Sequence, residues 1–176
     1  ENLTFKNVIQ PKRDDLVNNN FPQKGKWNKL IFKNNNPIIL ELGCGKGEYS
    51  VALAKANPNK NFIGVDIKGA RFWQGAKNSI ENKINNVVFL RTQIELIDKV
   101  FEDNEVSEIW ITFPDPQIKL KREKHRIVNL KFIEAYKKII IDKGIINLKT
   151  DSEFLHGYML GLIRSTEYLE LIYSNH

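Results

Sequence analysis

Short apolar runs alternate with longer amphipathic stretches from Pro37 onwards. The apolar runs have the length and β-branched character of buried strands, and the stretches between them repeat apolar side chains at helical spacing. The predicted strands cover residues 37–42, 61–67, 87–90, 109–113 and 145–148, with a possible sixth strand at 168–173. The predicted helices cover residues 47–57, 69–84, 94–101, 129–142 and 152–164, with Gly144 as the cap of the fourth. This alternation predicts an α/β fold, with a mostly parallel sheet covered by helices on both faces.

The first 36 residues differ from the rest because they are polar and rich in Asn and Lys, with isolated aromatic residues. We interpret residues 1–36 as a polar arm that contains one short helix, and residues 37–176 as a single domain. The total length of 176 residues suits one domain.

Composition narrows the classes of partner. The net charge of +6 favours a polyanion such as nucleic acid, whose counterions are released on binding. No apolar run approaches the roughly 20 residues of a membrane span, and the N-terminus does not resemble a signal peptide. The single cysteine, Cys44, has no internal disulfide partner, so a cytoplasmic location is the default expectation. Monomer and homodimer both remain open.

A glycine-rich turn follows the first predicted strand and opens the first predicted helix. It reads Glu-x-Gly-x-Gly-x-Gly, with the glycines at Gly43, Gly45 and Gly47 and the carboxylate at Glu41. Asp66 ends the next predicted strand, where a carboxylate can accept hydrogen bonds from both ribose hydroxyls of a nucleoside. Because ligands of parallel sheets bind at the carboxyl ends of the strands, the pattern predicts a nucleotide site.

Two ligands compete for this site. A dinucleotide fingerprint packs a pyrophosphate against the helix N-terminus, and a carboxylate at Glu41 would repel that group. The same carboxylate suits the ammonium and sulfonium groups of S-adenosylmethionine, so the pattern favours a methyl donor over NAD. Gln93, after the third predicted strand, either contacts the adenine or is an ordinary loop residue. Cys44 is expected to be a small packing residue.

The fourth predicted strand ends in Phe113-Pro114-Asp115-Pro116. Proline on each side of Asp115 restricts the backbone, so its carboxylate is expected to point in a fixed direction at the reaction site. Residues 119–126 follow with five Lys or Arg against one acid, which suits the guiding of a phosphate backbone. The basic residues predicted to contact RNA are Lys119, Lys121, Arg122 and Arg126.

Lys149-Thr150-Asp151 closes the fifth predicted strand at the same edge. Asp151 either hydrogen-bonds a base edge or caps the helix that follows. His125 and His156 have no second ligand at metal-binding spacing, so no metal is expected. Trp73 and Trp110 are expected in the core rather than as stacking platforms.

Over residues 38–158, the order and spacing of three segments resemble the bacterial tRNA (guanine-N7)-methyltransferases. The segments are Glu-Leu-Gly-Cys-Gly-Lys-Gly-Glu, the Phe-Pro-Asp-Pro loop with its basic tail, and Lys-Thr-Asp. The resemblance implies a Rossmann-like methyltransferase fold, S-adenosylmethionine as donor and tRNA as substrate. By position, it implies that Glu41 and Asp66 bind the donor, and that Asp115 is the catalytic-site carboxylate and also contacts the donor. It also implies that Lys119 and Asp151 contact the tRNA.

The chain departs from the family pattern at several positions. Gln117 stands where the family often has Trp, Ile118 where it has His or Pro, and Gln93 where it commonly has Asp. The family's Thr-x-Phe-Glu segment lies further downstream, and we expect the C-terminal part of the domain to be missing from residues 37–176. Two alternatives therefore stay open: a methyltransferase for DNA or protein, and an RNA-binding module that keeps the fold without activity.

Overall fold

The structure, a computed structural model, describes residues 5–175 and contains one six-stranded, fully parallel sheet. Its strands are β1 (Val8–Ile9), β2 (Ile38–Leu42), β3 (Asn61–Asp66), β4 (Val87–Arg91), β5 (Val106–Thr112) and β6 (Ile140–Lys149). The α-helices are α1 (Arg13–Val17), α2 (Glu48–Ala56), α3 (Gly69–Glu81), α4 (Ile97–Val100), α5 (Leu130–Ile139) and α6 (Glu153–Arg164). The predicted α/β class is confirmed.

The strand order is β1-β4-β3-β2-β5-β6. From β2 the chain first builds outward through β3 and β4, then crosses to the other side of β2 to add β5 and β6. The order therefore reverses between β2 and β5, which leaves a crevice at their carboxyl ends where such sheets bind ligands. Among residues 5–175, no helix is long and apolar enough to cross a membrane.

Two apolar clusters cover the two faces of the sheet. Ile38, Leu40 and Leu42 belong to the larger cluster, whereas Ile39 belongs to the smaller one with Phe89. Since neighbouring side chains of a strand point to opposite faces, this division shows that β2 is buried on both sides. A strand that is buried on both faces requires an uninterrupted run of apolar residues.

The N-terminal arm is part of this architecture. Its segment Val8–Ile9 pairs with β4 and supplies the sixth strand of the sheet. Trp27 is completely buried, stacks on Phe101 with 5.2 Å between ring centroids, and donates its indole N–H to the Val100 carbonyl at 3.1 Å. The arm thus adds both an edge strand and core side chains to the domain.

The possible strand at 168–173 was a wrong prediction, because the structure has a turn and irregular chain there. Leu171, Ile172 and Tyr173 are exposed, and no ladder within the described residues includes them.

The helix predicted over 129–142 ends earlier, at Ile139, and the chain enters β6 directly. Gly144 does not cap it. It lies in an irregular stretch of β6, where Val106 pairs with Ile140 but Glu108 pairs with Ile145. A Cβ at Gly144 would lie 2.4 Å from the Ile140 side chain, so close packing is what restricts this position.

Candidate active site

The predicted site residues follow the carboxyl ends of five adjacent strands. In spatial order they are Gln93 after β4, Asp66 at the end of β3, the glycine turn after β2, Asp115 after β5 and Asp151 after β6. Residues separated by up to 110 positions in sequence are therefore brought to one edge of the sheet. This edge includes the crevice between β2 and β5.

The glycine turn is fastened to the end of β3. The backbone N–H groups of Gly43 and Cys44 donate to the Val65 carbonyl at 2.8 and 3.0 Å. The N–H of Gly45 donates to Asp66 Oδ2 at 3.0 Å, and the N–H of Lys68 donates to Asp66 Oδ1 at 2.8 Å. Asp66 is only 6% exposed, so these bonds hold both a buried carboxylate and the turn beside it.

The glycines of the turn serve different purposes. Gly43 and Gly45 have φ of +75° and +55°, and a Cβ on either would meet no atom within 4 Å. They therefore border open space at the crevice, where a ligand can approach the backbone closely. Gly47 also has positive φ, but its Cβ would lie 2.3 Å from the Phe89 ring, so its small size serves packing of α2 against the sheet.

Glu41 is buried beneath the turn at 4% exposure. Ser50 donates its hydroxyl to Glu41 Oε2, and Thr112 donates to Oε1 at 2.7 Å. Burial raises the pKa of Glu41 above its ordinary value, the nearby charge of Asp66 adds to this, and the hydroxyl hydrogen bonds lower it in part. Glu41 is thus a buried acid whose position is fixed by its hydrogen bonds.

Cys44 follows β2 and Gln93 follows β4, at the same edge of the sheet as this acidic pair. Cys44 is buried in the smaller apolar cluster, and burial followed by the charge of Glu41 raises its thiol pKa well above the ordinary value. It is a neutral packing residue, as predicted. Gln93 is half-buried and precedes the 3₁₀ turn at 94–96, at the end of the sheet where Asp66 pairs with Arg91.

The Phe-Pro-Asp-Pro loop extends from β5 on the other side of the crevice. The Phe113 backbone N–H donates to the Lys149 carbonyl at 2.8 Å, which ties the loop to β6. Asp115 is exposed, and its Oδ1 accepts the Gln117 N–H at 3.1 Å in a tight turn. This hydrogen bond orients the carboxylate within the turn.

Arg126 does not lie where an RNA contact requires it, so the prediction that it binds RNA is wrong for this structure. It is 3% exposed, and its guanidinium donates to the carbonyls of Pro116 and Gln117 at 3.1 and 2.9 Å. The same group lies over the rings of Phe154 and Tyr158 in α6, 4.9 and 4.2 Å from their centroids. Arg126 instead fixes the Phe-Pro-Asp-Pro loop through these two carbonyls, because a buried guanidinium needs acceptors.

The other basic residues of the segment face solvent. Lys119, Lys121 and Arg122 are exposed, and Lys119 and Arg122 line an open depression of about 310 Å³ together with Asp115. The positive charge therefore lies directly beside the predicted catalytic carboxylate.

The role of Asp151 as a helix cap is excluded. Ser152 is the cap of α6, since its hydroxyl accepts the Leu155 N–H at 3.3 Å. Asp151 is exposed at the end of β6. Trp73 and Trp110 are half-buried rather than fully in the core.

The sequence analysis did not identify Ser50 and Thr112, which hydrogen-bond to Glu41, or the aromatic contacts of Lys149. Ser50 and Thr112 have no local signal, because they reach Glu41 only through the packing of α2 and β5 on β2. Lys149 Nζ lies 5.7 Å from the Tyr49 ring centroid and 5.6 Å from that of Phe113. No cluster of three or more potential metal ligands occurs among residues 5–175.

These features fit S-adenosylmethionine. The glycine turn exposes its backbone to open space at Gly43 and Gly45, and a side chain at either position would occupy that space. Behind the turn, Glu41 and Asp66 provide two carboxylates for a ligand that carries an ammonium, a sulfonium and ribose hydroxyls. A pyrophosphate would be repelled by the same pair.

Comparison with known proteins agrees with this geometry. The model of a family described as "Putative methyltransferase" matches residues 35–176. The chain is 61% identical over its whole length to a tRNA (guanine-N(7)-)-methyltransferase of Christiangramia forsetii, of which it spans 78%. It is 55% identical over 155 residues to the protein of that name from Bacteroides fragilis, covering 88% of this chain and 61% of the relative.

Solved structures with the same fold include a 30S ribosomal A1408 methyltransferase from an uncultured bacterium, with a TM-score of 0.54 and 19% identity over 78% of this chain and 60% of that one. A second, described as an antibiotic related methyltransferase, has a TM-score of 0.55 and 20% identity over 82% of this chain and 67% of that one. At these identities the likeness concerns the fold, which is the Rossmann-like methyltransferase fold predicted. The match at 61% identity over the whole chain, supported by the family model, shows that the chain belongs to the tRNA (guanine-N7)-methyltransferase family.

Proposed function

We propose that this chain transfers the methyl group of S-adenosylmethionine to N7 of a guanine in tRNA, with Asp115 at the point of transfer. The observation that carries the proposal is the meeting of the Glu41–Asp66 donor site and the Asp115 loop at adjacent strand ends, with exposed basic residues beside them. A tRNA substrate implies a cytoplasmic location.

The donor-binding residues act on different parts of the ligand. Asp66 would accept the ribose hydroxyls, Gly43 and Gly45 would admit the ligand against the backbone, and Gln93 would contact the adenine. Gly47 would support them by letting α2 approach the sheet. Glu41 would supply fixed negative charge beneath the sulfonium. When bound, S-adenosylmethionine supplies an electrophilic methyl group.

The acceptor chemistry needs no strong base. Guanine N7 carries an in-plane lone pair, so the protein must chiefly align that atom with the methyl group. The purine gains positive charge as the bond forms, and the Asp115 carboxylate would stabilise that charge or accept a guanine N–H. Lys119, Lys121 and Arg122 would hold the phosphate backbone, and Asp151 would contact a base edge.

The decisive assay is transfer of radiolabelled methyl from S-adenosylmethionine to unmodified tRNA, followed by nuclease digestion. We expect the label in 7-methylguanosine and none in DNA or protein. Label in another nucleoside, or no label although the donor binds, would contradict the proposal, and the second result would favour the RNA-binding module.

Asp115→Asn tests the role of the carboxylate because it keeps the shape and the turn. We expect at least a hundredfold loss of transfer rate, the size typical for removal of one electrostatic stabiliser. Donor affinity by calorimetry should stay within about twofold, since Asp115 lies outside the glycine turn. Near wild-type turnover would remove Asp115 from the mechanism.

A further inference from the structure

Phe113 combines features that a structural role does not explain. It is 58% exposed although its ring is large and apolar, and it lies two residues before Asp115. A phenylalanine of this loop could have turned inward to the core, as Phe101 and Phe132 do elsewhere. The ring is instead held out at the carboxyl edge of the sheet.

The backbone of Phe113 is strained. Its φ is +46°, a conformation that is unfavourable for a bulky residue, and the following Pro114 ordinarily favours an extended backbone with negative φ. The hydrogen bond from its N–H to the Lys149 carbonyl holds this conformation. Strain of this kind concentrates at sites where the direction of a side chain serves function.

The face of the ring accepts positive charge. The Lys149 ammonium lies 5.6 Å from the ring centroid, within the range of roughly 6 Å over which a cation is attracted to an aromatic face. Tyr49 presents a second ring to the same ammonium at 5.7 Å. The Phe113 ring therefore already lies within attractive distance of a cation, the ammonium of Lys149.

From these observations we propose that Phe113 is the platform on which the target guanine stacks, an inference that rests on the proposed function. A base taken out of its RNA stack needs an aromatic surface to replace its neighbours. Guanine becomes a cation when N7 is methylated, so its attraction to the ring increases during the transfer. Phe113 thus positions the acceptor and favours the charged state.

The test compares Phe113→Leu, Phe113→Tyr and Phe113→Trp with the wild type. We expect Phe113→Leu to lower kcat/KM for tRNA about thirtyfold, equivalent to about 2 kcal/mol, while the aromatic replacements stay within about threefold. Donor affinity and thermal unfolding should be unchanged in all three. If Leu is as active as Phe, or if Tyr is as damaging as Leu, the platform role is overturned.

Tyr168→Leu is the matched control. Tyr168 is also an exposed ring with a lysine over it, Lys137 at 3.7 Å, but it packs near α5 and not at the carboxyl edge. Its removal should leave kcat/KM for tRNA unchanged. An equal loss in Tyr168→Leu and Phe113→Leu would contradict a specific role of Phe113.

A second readout does not depend on activity. In Phe113→Trp the indole should be quenched by 7-methylguanosine monophosphate, and guanosine monophosphate should need about tenfold higher concentrations. Tyr168→Trp and the wild type serve as controls. Absence of extra quenching at position 113 would overturn the inference even if transfer to tRNA succeeds, whereas quenching without any transfer would leave it standing and reject the proposed function.

Discussion

At the scale of single residues, the site depends on polar groups whose environment differs from what their sequence position suggests. Glu41 is a buried acid held by two hydroxyl groups, and Arg126 is a buried base held by two carbonyls. Glu41 lies on β2 beside the glycine turn, and Arg126 contacts the Phe-Pro-Asp-Pro loop. They hold different parts of the predicted site, so their removal should have separable effects.

We expect Glu41→Gln to weaken donor binding about tenfold at neutral pH, because the fixed negative charge beneath the donor is lost. Isothermal calorimetry measures this directly. The variant should be at least as stable as the wild type at pH 7, since an ionised acid no longer has to be buried. Lower stability together with unchanged donor affinity would contradict the assignment.

The same residue predicts a pH dependence. The pKa of Glu41 is raised in the folded protein, so the folded state binds its proton more tightly than the unfolded state. As pH falls through that raised pKa, the wild type should gain stability relative to Glu41→Gln and should lose donor affinity. Denaturant unfolding and calorimetry across mildly acidic pH check both trends, and parallel curves for the two proteins would contradict them.

Arg126→Met should destabilise the fold by about 2–4 kcal/mol, because the carbonyls of Pro116 and Gln117 lose their buried partner. Arg122→Met is the matched control. Arg122 is exposed four residues earlier, so its replacement should change stability by less than about 0.5 kcal/mol while weakening tRNA binding. Urea unfolding distinguishes the two, and equal midpoints would show that Arg126 does not fix the loop.

At the scale of elements, the N-terminal arm contributes more than its polar composition indicates. Asn7 donates its side-chain amide to Ala76 O at 3.1 Å and to Ser79 Oγ at 2.8 Å, which attaches the arm to α3. The edge strand β1 and the buried Trp27 attach it to β4 and to the larger apolar cluster. The described part of the arm should therefore unfold together with the rest of the domain.

Trp27→Ala tests this coupling. We expect a loss of about 3–5 kcal/mol, typical of truncating a fully buried aromatic side chain, with unfolding still in one transition. Leu30→Ala, in the same arm but 44% exposed, should cost less than about 1 kcal/mol. A separate early transition in either variant, seen by circular dichroism, would mean that the arm folds independently.

At the scale of the whole molecule, basic residues lie at both edges of the sheet, but only one group lies beside the predicted RNA site. Lys119, Lys121 and Arg122 lie at the carboxyl edge near the crevice. Lys55 and Lys83 lie at the opposite edge, because α2 and α3 run back from the carboxyl edge and end there. The direction from which tRNA approaches should follow this asymmetry.

Replacing Lys121 and Arg122 together by Met should weaken tRNA binding and reduce the slope of log affinity against log salt by about 1–2. The matched control replaces Lys55 and Lys83 together, which removes the same net charge at the far edge. Filter binding at several salt concentrations measures the slopes. Equal reductions in both double variants would mean that total charge, and not the site, governs binding.

The sequence by itself determined the fold class, five of the strands and the residues that reach the carboxyl edge. The strand periodicity, the spacing of the glycines and the order of the acidic and basic groups are local properties, and a parallel sheet brings strand ends together whatever the details of packing. The family resemblance rested on the same local segments and was confirmed by the matches to known proteins.

Only the tertiary structure decided how distant residues meet. A two-residue strand such as β1 is recognisable only by its pairing with β4. The 168–173 run pairs with no strand among residues 5–175, despite its apolar character. A basic residue in a charged segment ordinarily faces solvent, but the carbonyls of the loop and the rings of α6 make burial favourable for Arg126. The strained backbone of Phe113 likewise depends on β6, since its N–H donates to the carbonyl of Lys149, 36 positions away in sequence.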